Sequence, residues 1–365
     1  MNSELMTVNF GPQHPSTHGV FRLRITLDGE TVVALEPVFG YLHRGSEKLA
    51  EERTYTQVIT LTDRMDYTSA MTNNQAYVLS CEKLMEITPP VRAQYLRVIS
   101  AELSRIASHL IGTGFLINDL GAFITPLMYC FRERERILEL FEMLCGARIT
   151  LTYMRVGGVF QDTPPEFWPA LDSFLSDMEL RLDEYESLLT GNEILLSRTK
   201  GVSSITTEQA INASITGPIL RATGYDWDLR SVDPYEVYNR VKFEIPIGHN
   251  GDNFDRYLVR IKEMRQSLSI IKQCVEQIEP GQVRLDLPFL IRPDSGEAYG
   301  RVESPKGELG FYLISDGSIS PYRCKVRPPS LINLTLLNEM IVGWKVADMI
   351  VTLGSLDFNM GEVDR

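Results

Sequence analysis

Apolar residues alternate with polar ones at the start of the chain. Val20, Leu23, Ile25 and Leu27 lead into Asp28-Gly29, and Val32, Val33 and Leu35 follow, which predicts two strands joined by a tight Asp-Gly turn. From Ser46 to about Gly191 the spacing becomes helical. Ile99, Leu103, Ile106 and Leu110 share one stripe behind a Pro89-Pro90 start signal, and the run from Arg132 to Glu142 continues as a helix laced with alternating charges. A second long helix is predicted from about Phe254 to Ile278, where Ile261, Met264, Leu268, Ile271 and Val275 recur at helical intervals and Pro280-Gly281 ends the pattern. Residues 282–298 read as a loop. Leu309, Phe311 and Leu313 then alternate up to an Asp316-Gly317-Ser318 turn and a return strand from Tyr322 to Val326, and two further helices close the chain. These elements predict an α+β fold in one large domain over 1–365. Its parts are a β-hairpin region (7–40), a helical core (46–280), a second β-hairpin (298–327) and C-terminal helices with a tail (330–365).

One stretch departs from the amphipathic pattern. Between Arg105 and Arg132 the only charged residue in 26 positions is Asp119. Its length suits a membrane span, but Gly112, Gly114, Gly121, Pro126 and the lone acid favour two buried helices joined by a bend. A carboxylate in apolar surroundings is costly unless it is paired or functional, which makes Asp119 a candidate site residue.

Composition narrows the classes. The 365 residues are 44% hydrophobic and 23% charged with a net charge of −12, the balance of a globular protein without an electrostatic footprint for nucleic acid. The N-terminal residues have no basic and apolar signal pattern. Five cysteines (Cys81, Cys130, Cys145, Cys274 and Cys324) lie no closer than fifteen positions apart, so a Cys-x-x-Cys zinc site or iron–sulfur cluster is not expected. Scattered thiols fit a reducing compartment.

Several segments could carry chemistry. GPQHPSTHG at 11–19 sets His14 and His18 on a loop stiffened by proline; it reads either as an ordered turn or as a presenter of proton-donating imidazoles, and no matching Glu or Cys supports a metal there. GYLHRGSEKLAE at 40–51 runs into a helix with Ser46 as the expected N-cap. TDRMDYTSAM places Asp63, Arg64, Asp66 and Tyr67 at the expected start of a helix, where dipole compensation alone would account for the acids. Gly157-Gly158 is only a dipeptide, and no phosphate-binding glycine motif occurs. His109 reads as a structural histidine at the edge of a helix face, and His249 as a loop residue.

Taken in order, GPQHPSTHG, LHRGSEK, DRMDY, RAQYLRV, FRERE, RVGGV, YLVRIKEMRQS, ESPKGELGFYLISDGS, PYRCKVRPPS and GEVDR closely resemble the quinone-site core subunit of respiratory complex I, the subunit called D or H, which is itself similar to the large subunit of [NiFe] hydrogenases. The likeness covers nearly the whole chain. It implies a hydrogenase-large-subunit-like fold. Where a hydrogenase carries two Cys-x-x-Cys pairs for its metals, this chain has Asp66 and Ser69 after Arg64, and Asn359 and Glu362 near its end, so no metal is expected. The resemblance further implies a quinone head-group pocket beside a partner that carries a [4Fe–4S] cluster, with quinone as substrate and no permanent cofactor on this chain. It assigns Tyr67 and His18 as donors to the quinone oxygens, Asp119 as the carboxylate that partners His18, and His14 to the pocket.

The same resemblance implies NADH:quinone oxidoreduction coupled to proton translocation. The chain would sit peripherally on the cytoplasmic side of the cell membrane in a hetero-oligomer with the iron–sulfur subunit (B type), a C-type subunit, a ferredoxin-like I-type subunit and membrane subunits of A and H type. Two departures qualify it. The family's Arg-Met-His segment is Arg148-Ile149-Thr150 here, and a Met-Glu-rich helical segment that many relatives carry after Pro280 is missing. The competing expectations are a shorter complex I relative fed by ferredoxin or another donor, a membrane-bound hydrogenase, and a non-catalytic scaffold.

Overall fold

A computed structural model describes residues 5–14, 19–122 and 125–365. The N-terminal sheet is antiparallel, β1 (Met6–Phe10), β2 (Arg22–Asp28) and β3 (Thr31–Val38), with the expected turn between Asp28 and Thr31. The alternating pattern buries Leu23, Ile25 and Leu27 of β2 on one face. The sequence pattern does not reveal β1, which pairs Met6 with Leu27 at the edge.

The helices that follow are α1 (Ser46–Glu51), α2 (Tyr55–Thr62), α3 (Ala70–Met85), α4 (Val91–Asp119) and α5 (Thr125–Cys145), then, after the short strands β4 (Met154–Arg155) and β5 (Gly158–Val159), α6 (Phe167–Tyr185), α7 (Glu193–Thr199), α8 (Thr207–Asn212), α9 (Pro218–Ala222), α10 (Leu229–Val232) and α11 (Asn253–Gln277). The apolar stretch forms the second half of α4 and the start of α5, with the turn after Asp119. No described helix is long and apolar enough to cross a membrane. The single stripe expected for α4 is a correction: most of the helix is buried all round, including Arg97, Glu102, Arg105 and His109, because α3, α5, α11 and α14 enclose it.

That sheet is a further correction. The expected hairpin is a three-stranded antiparallel sheet, because β6 (Gly296–Ser304) precedes β7 (Gly307–Ser315) and β8 (Arg323–Arg327). The start of β6, Gly-Glu-Ala at 296–298, lies in the stretch that reads as a loop, because it lacks an alternating pattern and only its pairing with β7 makes it a strand. The β6–β7 turn projects Lys306 inward. A Cβ on Gly307, at φ +131°, would lie 2.6 Å from Thr216 Oγ1, so only glycine lets the turn approach α9 this closely.

The chain ends in α12 (Pro329–Asn333), α13 (Leu337–Ile341), α14 (Val346–Leu356) and α15 (Met360–Asp364), where two helices were expected; the supposed tail is the buried helix α15. Two apolar cores result. One joins α2–α6 and α11 to the second sheet, and the other packs the N-terminal sheet against α12–α15.

Candidate functional site

The segment Asp63–Ser69 is not the first turn of a helix, as expected, but the tight connection between α2 and α3, since α3 begins at Ala70. Likewise Gly45, not Ser46, caps α1: it adopts the left-handed conformation and leaves Ser46 as the first helical residue. The α2–α3 connection presents Tyr67 to a cavity of about 290 Å³ whose other walls include Ile111 and Phe115 of α4, Lys306 of the β6–β7 turn, and Asp357 and Phe358 before α15. This volume is close to the lower bound of about 300 Å³ for small-molecule sites. A larger hollow of about 600 Å³ beside Arg92 and Glu279 has a mainly polar and charged wall and none of the predicted site residues.

Below Tyr67 lies a buried ion cluster. Asp66 Oδ1 accepts from Thr68 Oγ1 at 2.6 Å and Asn359 Nδ2 at 2.9 Å, while Oδ2 accepts from Ser69 Oγ at 2.6 Å and pairs with Lys306 Nζ at 3.1 Å. Lys306 also donates to Thr68 Oγ1 at 2.8 Å and Ser108 Oγ at 3.0 Å, and stands 3.9 Å from Asp357. Burial acts to raise the Asp66 carboxyl, but the Lys306 ammonium and the Ser69 and Thr68 hydroxyls outweigh it and hold the group below its ordinary value. Asp66 is therefore an anion locked to an ammonium.

The four positions compared with hydrogenase thiolates converge here. Asp66, Ser69 and Asn359 are hydrogen-bonded together, and Glu362 sits one turn along α15, with Ser330 Oγ donating to its carboxyl. Hard oxygen and amide donors gathered around an ammonium do not fit nickel, which the thiolates of a hydrogenase would hold. Lys306 supplies the positive charge at the centre of the cluster. Sequence reading missed it because a lysine in a Pro-Lys-Gly-Glu turn looks like surface, even within the motif ESPKGELGFYLISDGS.

Glu362 carries the cluster's loose proton. Burial, then repulsion from Asp66, push its carboxyl up to about 8 from 4.5. The folded protein thus binds a proton that the unfolded chain releases near 4.5. That stabilisation is complete below pH 4.5 and is lost as the pH rises toward 8. Denaturation at pH 5 to 8 is expected to show stability falling with pH, and Glu362→Gln to flatten the slope; the same slope in the variant would assign it elsewhere.

Tyr67 is 45% exposed at the cavity wall, yet burial of its surroundings, with Asp66 adding, raises its phenol above the ordinary value. It stays protonated near neutral pH and can donate. Asp119 is the last residue of α4, one turn beyond Phe115; its Oδ2 lies 2.8 Å from where a Cβ on Gly354 would be, and it is not among the residues lining the cavity. His14 is exposed and packs against Phe10 with ring centroids 4.4 Å apart. His18 lies outside the described residues. The structure thus brings Tyr67 to the cavity, leaves Asp119 beyond its wall, and puts His14 on the surface. His109 is a correction, fully buried rather than at a face edge, with Nε2 2.8 Å from Glu263 Oε2. Thr150, in place of the family's histidine, has a left-handed backbone at φ 56° next to the half-exposed Ile149.

This mixed α+β scaffold, with a cavity set over the buried Asp66–Lys306 ion pair, has the hydrogenase-large-subunit-like fold. The chain matches the family "Respiratory-chain NADH dehydrogenase, 49 Kd subunit" over residues 119–294 and 289–365, and it belongs to that family of oxidoreductase subunits. It is 58% identical over 365 residues to a Dehalococcoides mccartyi protein named as the D-type subunit of NADH-quinone oxidoreductase, covering all of both chains. It is also 54% identical over 364 residues to the protein of the same name from Desulforamulus reducens, covering all of this chain and 99% of that one. A Roseiflexus protein of the same type is 53% identical over 373 residues, with both chains covered in full.

Proposed function

We propose that this chain is the quinone-reducing core subunit of a complex I-type NADH:quinone oxidoreductase. The Tyr67 cavity receives the quinone head group, and electrons arrive from a [4Fe–4S] cluster in a neighbouring B-type subunit. The observation that carries the reading is a protonated phenol set over a buried ion cluster in a mixed apolar and polar cavity, on a chain whose relatives are named for quinone reduction. Two-electron reduction puts negative charge on the carbonyl oxygens, and a donor already aimed at one of them stabilises that charge and supplies a proton. Tyr67 takes this role. Apolar Ile111, Phe115 and Phe358 hold the ring, while Asp66 and Lys306 fix the turn that carries Tyr67. His18 donates at the opposite oxygen, Asp119 serves as its carboxylate partner, and His14 belongs to the loop that leads to it.

The chain binds no cofactor permanently and works in a hetero-oligomer with B-, C- and I-type subunits and membrane subunits of A and H type, peripheral to the cytoplasmic side of the membrane. Quinone reduction is coupled there to proton translocation. A photoreactive quinone analogue applied to the assembled complex is expected to label peptides containing Tyr67, Ile111 or Phe115; labelling confined to partner subunits would leave this chain a scaffold.

Thr150 gives a second expectation. Without an imidazole whose proton uptake follows reduction, the partner cluster's midpoint potential should hardly change with pH, and Thr150→His should introduce a slope. Redox titration of the complex at several pH values checks this, and a full slope in the unaltered complex would contradict it.

A further inference from the structure

Behind the cavity, eight ionisable side chains form one cluster with almost no exposure: Glu102, Arg105 and His109 on α4, Arg221 on α9, Asp228 and Arg230 at α10, Glu263 on α11 and Glu303 on β6. Their hydrogen bonds form two groups, joined where Arg105 donates to the Glu303 carbonyl oxygen at 2.5 Å and where Arg221 stands 3.6 Å from Asp228. Arg221 donates to Glu263 Oε1 at 2.6 Å and to Glu303 Oε1 at 2.7 Å; Arg230 donates to Asp228 at 2.6 Å and to Glu102 at 3.1 Å; Arg105 donates to Glu102 at 3.1 Å. Glu102 also accepts from Tyr238 and Ser267, both at 2.6 Å, and Glu303 from the Leu229 amide at 3.2 Å. Each carboxylate is thus held as an acceptor by donors around it.

Among these eight, four carboxylates face three guanidiniums, and the buried guanidinium of Arg260 on α11, beside His109 and Glu263, makes a fourth, so the charges balance with His109 neutral. His109 Nε2 meets Glu263 Oε2 at 2.8 Å, while Nδ1 is buried and has no hydrogen-bond partner. The charged groups facing the ring are Glu263 and Arg260 from α11 and Arg105 from its own helix, with Arg221 behind Glu263. Burial, aided by Arg260 and Arg105, outweighs Glu263 and holds the imidazole below its ordinary value, so it rests neutral.

Arg260, beside His109 and Glu263, connects the cluster to the cavity. Arg260 Nε lies 3.9 Å from Asp357 Oδ2, and Asp357 lines the cavity and packs so closely on α4 that a Cβ on Gly112 would come within 2.7 Å of its Cγ. On α4 itself, Ser108 accepts from Lys306 of the cavity wall and Ile111 lines the cavity, so His109 lies between a residue bonded to that wall and one that belongs to it.

We propose that His109 is a buried proton-accepting site that answers charge in the cavity: negative charge arriving there is felt through Asp357 and Arg260, and the imidazole takes one proton from solvent onto Nδ1 and gives it back when the charge leaves. No bond other than N–H forms or breaks, and the electrons stay with the quinone. His109 is a positioning residue in this scheme, because it acts through Arg260 and Asp357. The inference rests on the quinone reading above.

The test is infrared difference spectroscopy of the assembled complex, quinone against quinol, with ring-¹⁵N histidine. The expected result is an imidazole band that shifts with the label, is lost in His109→Gln, and shrinks at least several-fold in Asp357→Asn, which keeps His109 and Glu263 in place. If His109→Gln does not assemble, the Asp357→Asn spectrum decides alone. A histidine band that survives His109→Gln, an undiminished band in Asp357→Asn, or a protonating carboxylic acid band abolished by Glu303→Gln in its place would overturn the proposal. The quinone's own carbonyl bands keep the two readings apart: if they are sensitive to Tyr67→Phe and no imidazole band appears, only His109 fails, whereas carbonyl bands indifferent to Tyr67 would remove the quinone reading itself.

Discussion

Lys306→Met is expected to destabilise the protein by about 3–5 kcal/mol, the cost of removing one partner from a buried ion pair. Asp66 is about 2% exposed and would keep the Ser69, Thr68 and Asn359 donors but lose its counter-ion at 3.1 Å. Asp357, 3.9 Å from the ammonium, would be left with Arg260 at the same distance. Two hydroxyls, of Thr68 and Ser108, would also lose a donor. The effect belongs to the pair rather than to lysine's bulk, so Asp66→Asn together with Lys306→Met should cost less than the two single losses added. Urea denaturation followed by the fluorescence of Trp168, Trp227 and Trp344 measures all three variants. Additive losses would show that the ammonium acts independently of Asp66.

Periodic segments made much of the fold legible. The stripe over 261–275 predicts α11, and the alternation over 20–35 predicts β2 and β3, because each buries one face of a regular element. β1 and β6 were not legible, since the pairing of an edge strand and of a glycine-rich strand is decided by partners remote in sequence. The buried faces of α4 escaped for a related reason. Its Arg, Glu and His residues look like a solvated side until α3, α10 and α11 bring Glu82, Arg230 and Glu263 to them.

The candidate site was legible as residues and not as a cluster. The resemblance to hydrogenases sets Asp66, Ser69, Asn359 and Glu362 at the places of metal ligands, and they do meet, because α15 packs so tightly on the α2–α3 connection that a Cβ on Gly361 would be 2.7 Å from Met65 O. Lys306 comes from a turn more than two hundred residues from Asp66, and no local pattern announces that its charge points inward. Asp119 was found as a lone acid in an apolar run, a signal of cost rather than of place, and it stands at a helix end beyond the cavity wall.

The central claim is that Tyr67 donates to the quinone. Its phenol is held in the protonated state by burial and by Asp66, so the donor is present throughout the neutral range. Tyr67→Phe keeps the ring and its packing and removes one O–H group. Loss of a single preorganised donor to a developing oxyanion typically costs about 10²–10³ in rate. The direct measurement is a single turnover: the assembled complex is reduced, mixed with excess quinone, and reoxidation of its iron–sulfur clusters is followed. The account predicts that Tyr67→Phe assembles and becomes reduced like the parent but is reoxidised by quinone at least about 100-fold more slowly; reoxidation at the parental rate would contradict it.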